Sequence, residues 1–314
     1  MPVTGVILMT YGSPRDLDDV GAYITRVRGG REPDAELLTE FRRRYSVIGM
    51  SPLIDITRAQ ASSLEGVLGE GYRVAAGMRF SEPSVAQAVT DVQGRGAKRL
   101  VGVILSPQYS ASLMGGYDQA LQAAANGLPA RTVQAWHLNP AFIDVLASRI
   151  RGELARMSDQ ERDRVPVLLT AHSLPRRVVD REPGYVEQLH ETADAVAKAA
   201  DLTDEQWSFA YQSAGHTPEE WLKPDMLDVL PTLAQTGHRR VIIAPVQFLA
   251  DHLETLYDID VAGREQAQAA GFETFTRVEA PNDARDFIEA LANVVRGELA
   301  AWDGVGRGVT WLRA

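Results

Sequence analysis

The stretch Arg239–Asp260 reads RRVIIAPVQFLADHLETLYDID. Its first half is a short, β-branched apolar run closed by a proline, the pattern of a buried strand. Its second half repeats apolar residues at helical spacing. A strand that hands over directly to a helix is the elementary unit of a parallel α/β sheet. On a helical wheel Asp251, Glu254 and Asp258 fall in one stripe, with Leu249, Leu253, Leu256 and Tyr257 on the other side. An acidic helix face is ordinarily a solvated one. Here the helix starts where a buried strand ends, the edge of an open sheet at which ligands bind.

Outward from this stretch the same alternation covers the chain. Strands are predicted at 3–9, 73–78, 99–105, 132–136, 165–170, 207–211, 240–245 and 274–278, and amphipathic helices at 34–47, 56–68, 84–94, 140–157 and 184–199. The halves also echo one another. ILMTYGSPR (Ile7–Arg15) parallels LLTAHSLPR (Leu168–Arg176), and GVILSPQYSASLMGGYD (Gly102–Asp118) parallels VIIAPVQFLADHLETLYD (Val241–Asp258). The fold class that follows is α/β, with two similar Rossmann-like domains whose parallel sheets are flanked by helices. The domains are expected at 1–150 and 151–314, with a cleft between them and the last helix packing back on the first domain. The polar run RMSDQERDRVP (156–166) is the best linker candidate.

Composition narrows the function. With 314 residues, 45% hydrophobic and 24% charged, the chain can bury a sizeable core. Its formal net charge of −10 argues against general nucleic-acid binding and against docking on anionic membranes. There are no cysteines, which removes disulfides, thiol nucleophiles and iron–sulfur clusters. No run of about 18 apolar residues suggests a membrane span, and the first residues lack a signal-peptide pattern. A soluble cytoplasmic protein is expected.

Few residues stand out chemically. Of six histidines, His172 lies at the C-terminal end of a strand-like run, in VLLTAHSLP, where the following Pro175 turns the chain from the sheet. A neutral imidazole there is either a packed strand-end residue or a base and metal ligand facing solvent. Tyr11, in MTYGSP, takes the matching place in the first half. His252 reads as structural or supporting. No GxGxxG, Walker loop or GxSxG elbow is present. Arg28, Arg31, Arg43 and Arg44, with Tyr45 and Ser51 close behind, form a cationic and hydroxylated group suited to carboxylates. The pattern is polarised: donors for an acidic ligand in the first half, histidine and carboxylates in the second.

These residues resemble the ferrochelatase family over nearly the whole chain. The resemblance is carried by MTYGSP, RYSVIGMSPL, GMRFSEPSV, LSPQYS, TAHSLP, YQSAGHTPEEWLKPD and PVQFLADHLETLYDID, in that order. It implies a chelatase fold and insertion of Fe²⁺, as a substrate, into a porphyrin in haem biosynthesis. His172 and Glu254 would be the catalytic, metal-side pair, and Asp258 would extend an acidic path for metal delivery or proton exit. Tyr11, Arg28, Arg44, Tyr45, Ser51 and Tyr117 match porphyrin contacts, with Tyr11 able to ligate the metal axially from the face opposite His172. The tyrosine of MTYGSP and the QSAGHTPEEWLKPD form of Gln212–Asp225 resemble the coproporphyrin III branch, whose product is Fe-coproporphyrin III (coproheme). The alternatives are a protoporphyrin IX ferrochelatase, a cobalt or nickel chelatase of the same fold, and a non-catalytic porphyrin or haem carrier. A monomer or weak dimer is expected, in transient contact with neighbouring haem-pathway enzymes.

Overall fold

A computed structural model describes residues 2–215 and 219–304. Strands β1 (Thr4–Thr10), β2 (Tyr72–Met78), β3 (Arg99–Ile104) and β4 (Ala130–Val133) form one sheet in the order β2-β1-β3-β4. Strands β5 (Val167–His172), β6 (Trp207–Gln212), β7 (Arg240–Pro245) and β8 (Thr274–Arg277) form a second in the order β6-β5-β7-β8. Every pairing is parallel. The strand order is the same in both halves, as the echoed sequences lead one to expect. The central strands are apolar along their length because both faces are covered by helices. All seven residues of β1 are buried.

Each sheet has its own core. In the first, Ile7, Met9, Leu100 and Ile104 pack against Val85, Val89 and Leu121 from the covering helices. In the second, Leu168, Val241 and Ile243 pack against Met226, Leu230 and Ile259. Local chemistry sets the helix ends. Asp34 accepts from the Leu37 amide at 2.8 Å to start the helix Ala35–Ile48, which stops at Gly49 in the left-handed conformation (φ 70°). Ser84 and Gln87 form a capping box at the helix Val85–Gly94.

The chain divides into two compact units, one of Met1–Trp136 with Ala250–Leu253 and Asn282–Ala314, the other of His137–Leu249 with Glu254–Pro281. A division at residue 150 would cut the helix Pro140–Leu154, which instead packs on the helix Gly184–Ala199 and belongs with the second unit. The polar run at 156–166 therefore lies inside that unit, and Asp159–Arg162 within it form a helical turn. The last described helix, Arg285–Trp302, packs on the helix Leu53–Leu68 of the first unit.

Candidate active site

In each sheet the strand order reverses beside one central strand, between β1 and β3 in the first and between β5 and β7 in the second. Open α/β sheets bind ligands at the C-terminal edge of such a reversal. His172 is the last residue of β5. Strand β7 ends at Pro245 and leads through residues 246–253 into Glu254–Gly263. This path brings Glu254 Oε2 to 3.8 Å from His172 Nε2, with each side chain 32% exposed. The separation is too long for a hydrogen bond. It matches two ligand atoms sharing one divalent ion through bonds of about 2.1 Å. Among the described residues no group of three or more His, Asp or Glu converges as a metal cage.

The segment after β7 departs from the sequence-based picture in one respect. Glu254–Gly263 is a π-helix, and residues 251 and 252 precede the helical turns. In a π-helix the hydrogen bonds run i→i+5 and the turn is wider, so Glu254 and Asp258 remain on adjoining turns. Asp251 is not part of that face. Its carboxylate accepts from Asn282 Nδ2 at 2.9 Å and its amide donates to Asn282 Oδ1 at 2.8 Å. The three-carboxylate stripe thus resolves into a structural Asp251 and a helical pair, Glu254 and Asp258. Leu249, Leu253 and Tyr257 are buried as expected, but Leu256 is only half-buried and the buried set includes Thr255 and Ile259. His252 Nδ1 lies 3.0 Å from the Ala250 carbonyl, a local contact in keeping with a structural role.

Two further residues, Gln247 and Tyr185, extend from His172 without being singled out in the sequence. The His172 amide donates to Gln247 Oε1 at 2.7 Å, and Gln247 Nε2 donates to the Tyr185 hydroxyl at 2.6 Å. The ring Nδ1 of His172 is buried and has no hydrogen-bond partner among the described residues.

In the first unit Tyr11 follows β1 directly and is 44% exposed. Gly12 next to it takes φ 95°, and a Cβ there would collide with Ser81, so the turn that presents Tyr11 requires glycine. The Tyr11 ring meets Phe80 edge-on at 4.7 Å. The Arg79 guanidinium lies 4.9 Å from the Phe80 ring centre and 5.3 Å from that of Tyr117. Sequence reading left Arg79 and Phe80 without a role, yet they connect two of the predicted porphyrin contacts. Tyr117 itself is buried, and burial pushes its hydroxyl pKa well above the usual value.

The other predicted contacts are placed variously. Arg44 Nε donates to Glu40 Oε1 at 2.8 Å, and Arg43 makes two bonds of 2.9 Å to the same carboxylate. The two guanidinia hold Glu40 down to about 2, far below its ordinary 4.5. Arg28 Nη1 donates to the Glu32 carbonyl at 3.0 Å. Tyr45 is buried, and the half-buried Ser51 accepts from the Leu53 amide at 3.4 Å. Residues 216–218, within YQSAGHTPEEWLKPD, lie outside the described residues, as does the end of the chain from 305. Of the remaining histidines, His137 is buried with Nε2 2.8 Å from Glu191, and burial lowers its pKa against the pull of that carboxylate.

Residues 3–299 match the family model described as Ferrochelatase. A protein of Deinococcus radiodurans named "Ferrochelatase" is 37% identical over 94% of this chain and 96% of its own length. The "Coproporphyrin III ferrochelatase" of Bacillus subtilis is 34% identical, covering 94% of this chain and 97% of that protein. Among solved structures, "SirB from Bacillus subtilis with Fe3+" superposes with a TM-score of 0.60 at 10% identity, covering 96% of this chain and 97% of the other. CbiX, described as the terminal enzyme of siroheme biosynthesis in denitrifying bacteria, gives 0.53 at 12% identity, covering 93% and 97%. At that identity the two structures speak for the fold alone.

Proposed function

We propose that coproporphyrin III is the macrocycle metallated by this chain, which belongs to the ferrochelatase family and inserts ferrous iron into a porphyrin. The observation that carries the chemistry is the approach of His172 to Glu254 at the reversal of the second sheet. Metallation removes two N–H protons from the macrocycle while Fe²⁺ sheds water. On this reading the imidazole and the carboxylate hold the ion transiently, and one of them accepts pyrrole protons. Asp258, one π-turn along from Glu254, extends the acidic face for metal delivery or proton exit.

The choice of porphyrin rests on the first unit. Coproporphyrin III carries four propionates where protoporphyrin IX carries two. Arg28, Arg44 and Ser51 supply charged and neutral donors, and the exposed Tyr11 serves as an axial ligand for the metal. A hydrogen bond to a charged group contributes about 1.5–3 kcal/mol. Even about 1.4 kcal/mol of net difference gives a tenfold preference. Relatives named coproporphyrin III ferrochelatase at 34–36% identity support the same assignment. Tyr45 and Tyr117, buried, serve as walls of the porphyrin subsite rather than as exposed donors.

No described helix is long and apolar enough to cross a membrane. A cytoplasmic setting and transient contact with neighbouring enzymes of haem synthesis belong to this proposal, as does a monomer or weak dimer, which the acidic balance of the chain supports. The test is a side-by-side assay of Fe²⁺ insertion, in which coproporphyrin III is expected to show the higher kcat/KM. Equal or reversed preference for protoporphyrin IX would overturn the substrate assignment.

A further inference from the structure

We infer that Gln247 is the positioning residue that holds His172 in register, its side-chain amide replacing a backbone carbonyl that β7 no longer supplies. The inference rests on His172 being the metal-side group. In β5 the amide and carbonyl of one residue point to the same side of the strand, and successive residues alternate. The Ser173 amide donates to the Gln212 carbonyl, toward β6, whereas the Thr170 carbonyl accepts from the Val246 amide, toward β7. His172 has the parity of Thr170 and so aims its amide toward β7. The β5–β7 ladder, however, ends at the pair Thr170–Pro245. At the position where a further β7 carbonyl would accept, Gln247 Oε1 stands 2.7 Å from the His172 amide.

The orientation of Gln247 follows from the chemistry. A backbone amide only donates, so the oxygen of Gln247 must face it, and its NH₂ then faces the Tyr185 hydroxyl at 2.6 Å. Tyr185 is a buried residue at the start of the helix Gly184–Ala199, which fixes the far end of the bridge. Imidazoles that meet metals are commonly oriented through a hydrogen bond on their second ring nitrogen. Among the described residues that bond has no counterpart at His172 Nδ1. Orientation of the ring thus falls to the backbone, and Gln247 secures the backbone at the last residue of the strand.

Steady-state iron insertion in a set of variants tests this. Gln247→Leu keeps the bulk and loses the acceptor, so kcat should fall on the order of tenfold to a hundredfold. KM for the porphyrin should stay near the wild-type value. Gln247→Glu returns an acceptor oxygen at the same reach and should restore most of kcat, a rescue that a loss of packing alone would not give. Tyr185→Phe should lower kcat in the same direction, and combining it with Gln247→Leu should add little. Wild-type kcat in Gln247→Leu, or no rescue by Gln247→Glu, overturns the inference. If the leucine variant does not fold, Tyr185→Phe decides: lowered kcat supports the bridge, and wild-type kcat overturns it. His172→Ala assayed alongside separates the two levels. Activity retained there removes the reading of the site, whereas an inactive His172→Ala beside a wild-type Gln247→Leu removes only the positioning role.

Discussion

The guanidinium of Arg79 fills the space that a side chain at Gly116 would occupy. Gly116 lies inside the helix Ala111–Ala124, where glycine is costly, and this close approach is the physical reason for it. Through Arg79, Tyr117 of the same helix is tied to Phe80 and, one ring further, to Tyr11.

Gly116→Ala should therefore fold, because a guanidinium at the end of a flexible chain can swing aside, but it should loosen that stack. A cation–π contact contributes about 0.5–2 kcal/mol, so KM for the porphyrin should rise by about threefold to tenfold. The neighbouring Gly115 faces open space. Gly115→Ala should leave KM unchanged and stabilise the helix by about 0.8–1 kcal/mol. Thermal melts and porphyrin titrations of the two variants check the contrast.

Glu40 sets a second expectation. Its folded pKa of about 2, depressed mainly by bonds from Arg43 and Arg44, keeps it ionised throughout any assay range. Porphyrin binding should accordingly show no titration assignable to Glu40 between pH 5 and 9. Because the folded value lies below the ordinary 4.5, the stability gained from this carboxylate is complete above pH 4.5 and is lost as pH falls toward 2. Glu40→Gln should flatten that part of the acid-stability curve. It should also release Arg44 for propionate and lower KM by about twofold to fivefold, the scale of an exposed ion pair. An unchanged or higher KM would show that Arg44 does not meet the substrate.

Asp251 and Asp258 separate by the same logic. Asp251 is joined to Asn282 by two hydrogen bonds, and the Asn282 carbonyl accepts from Gln60 at 2.7 Å. Asp251→Ala should cost about 1–3 kcal/mol of stability and leave kcat of the folded protein intact. Asp258→Asn should do the opposite, raising KM for Fe²⁺ several-fold with an unchanged melting temperature. Unfolding of the Asp258 variant would assign that carboxylate to structure.

The eight strands and the likeness of the two halves were legible because each central strand is buried on both faces, and the strand-end residues Tyr11 and His172 followed from them. The helical wheel drawn from Asp251 did not anticipate the π-helix, since apolar spacing does not distinguish i→i+4 from i→i+5 hydrogen bonding over a few turns. It also began the helix too early and so counted Asp251 with Glu254. Gln247 and Arg79 lie in quoted stretches, but their roles were not legible for a different reason. Their partners are His172 and Gly116, distant in sequence, and such contacts leave no period behind. The polar run at 156–166 resembles a linker in sequence, yet the helix before it, Pro140–Leu154, packs onward on the helix Gly184–Ala199.

The most direct test of the central claim is anaerobic, single-turnover insertion of Fe²⁺ into coproporphyrin III by His172→Ala and Glu254→Gln, with porphyrin affinity measured separately by fluorescence quenching. The geometry of the pair predicts that both variants bind the porphyrin as wild type does and that neither metallates it at a measurable rate. Wild-type insertion by either variant would contradict the assignment of this pair to the metal.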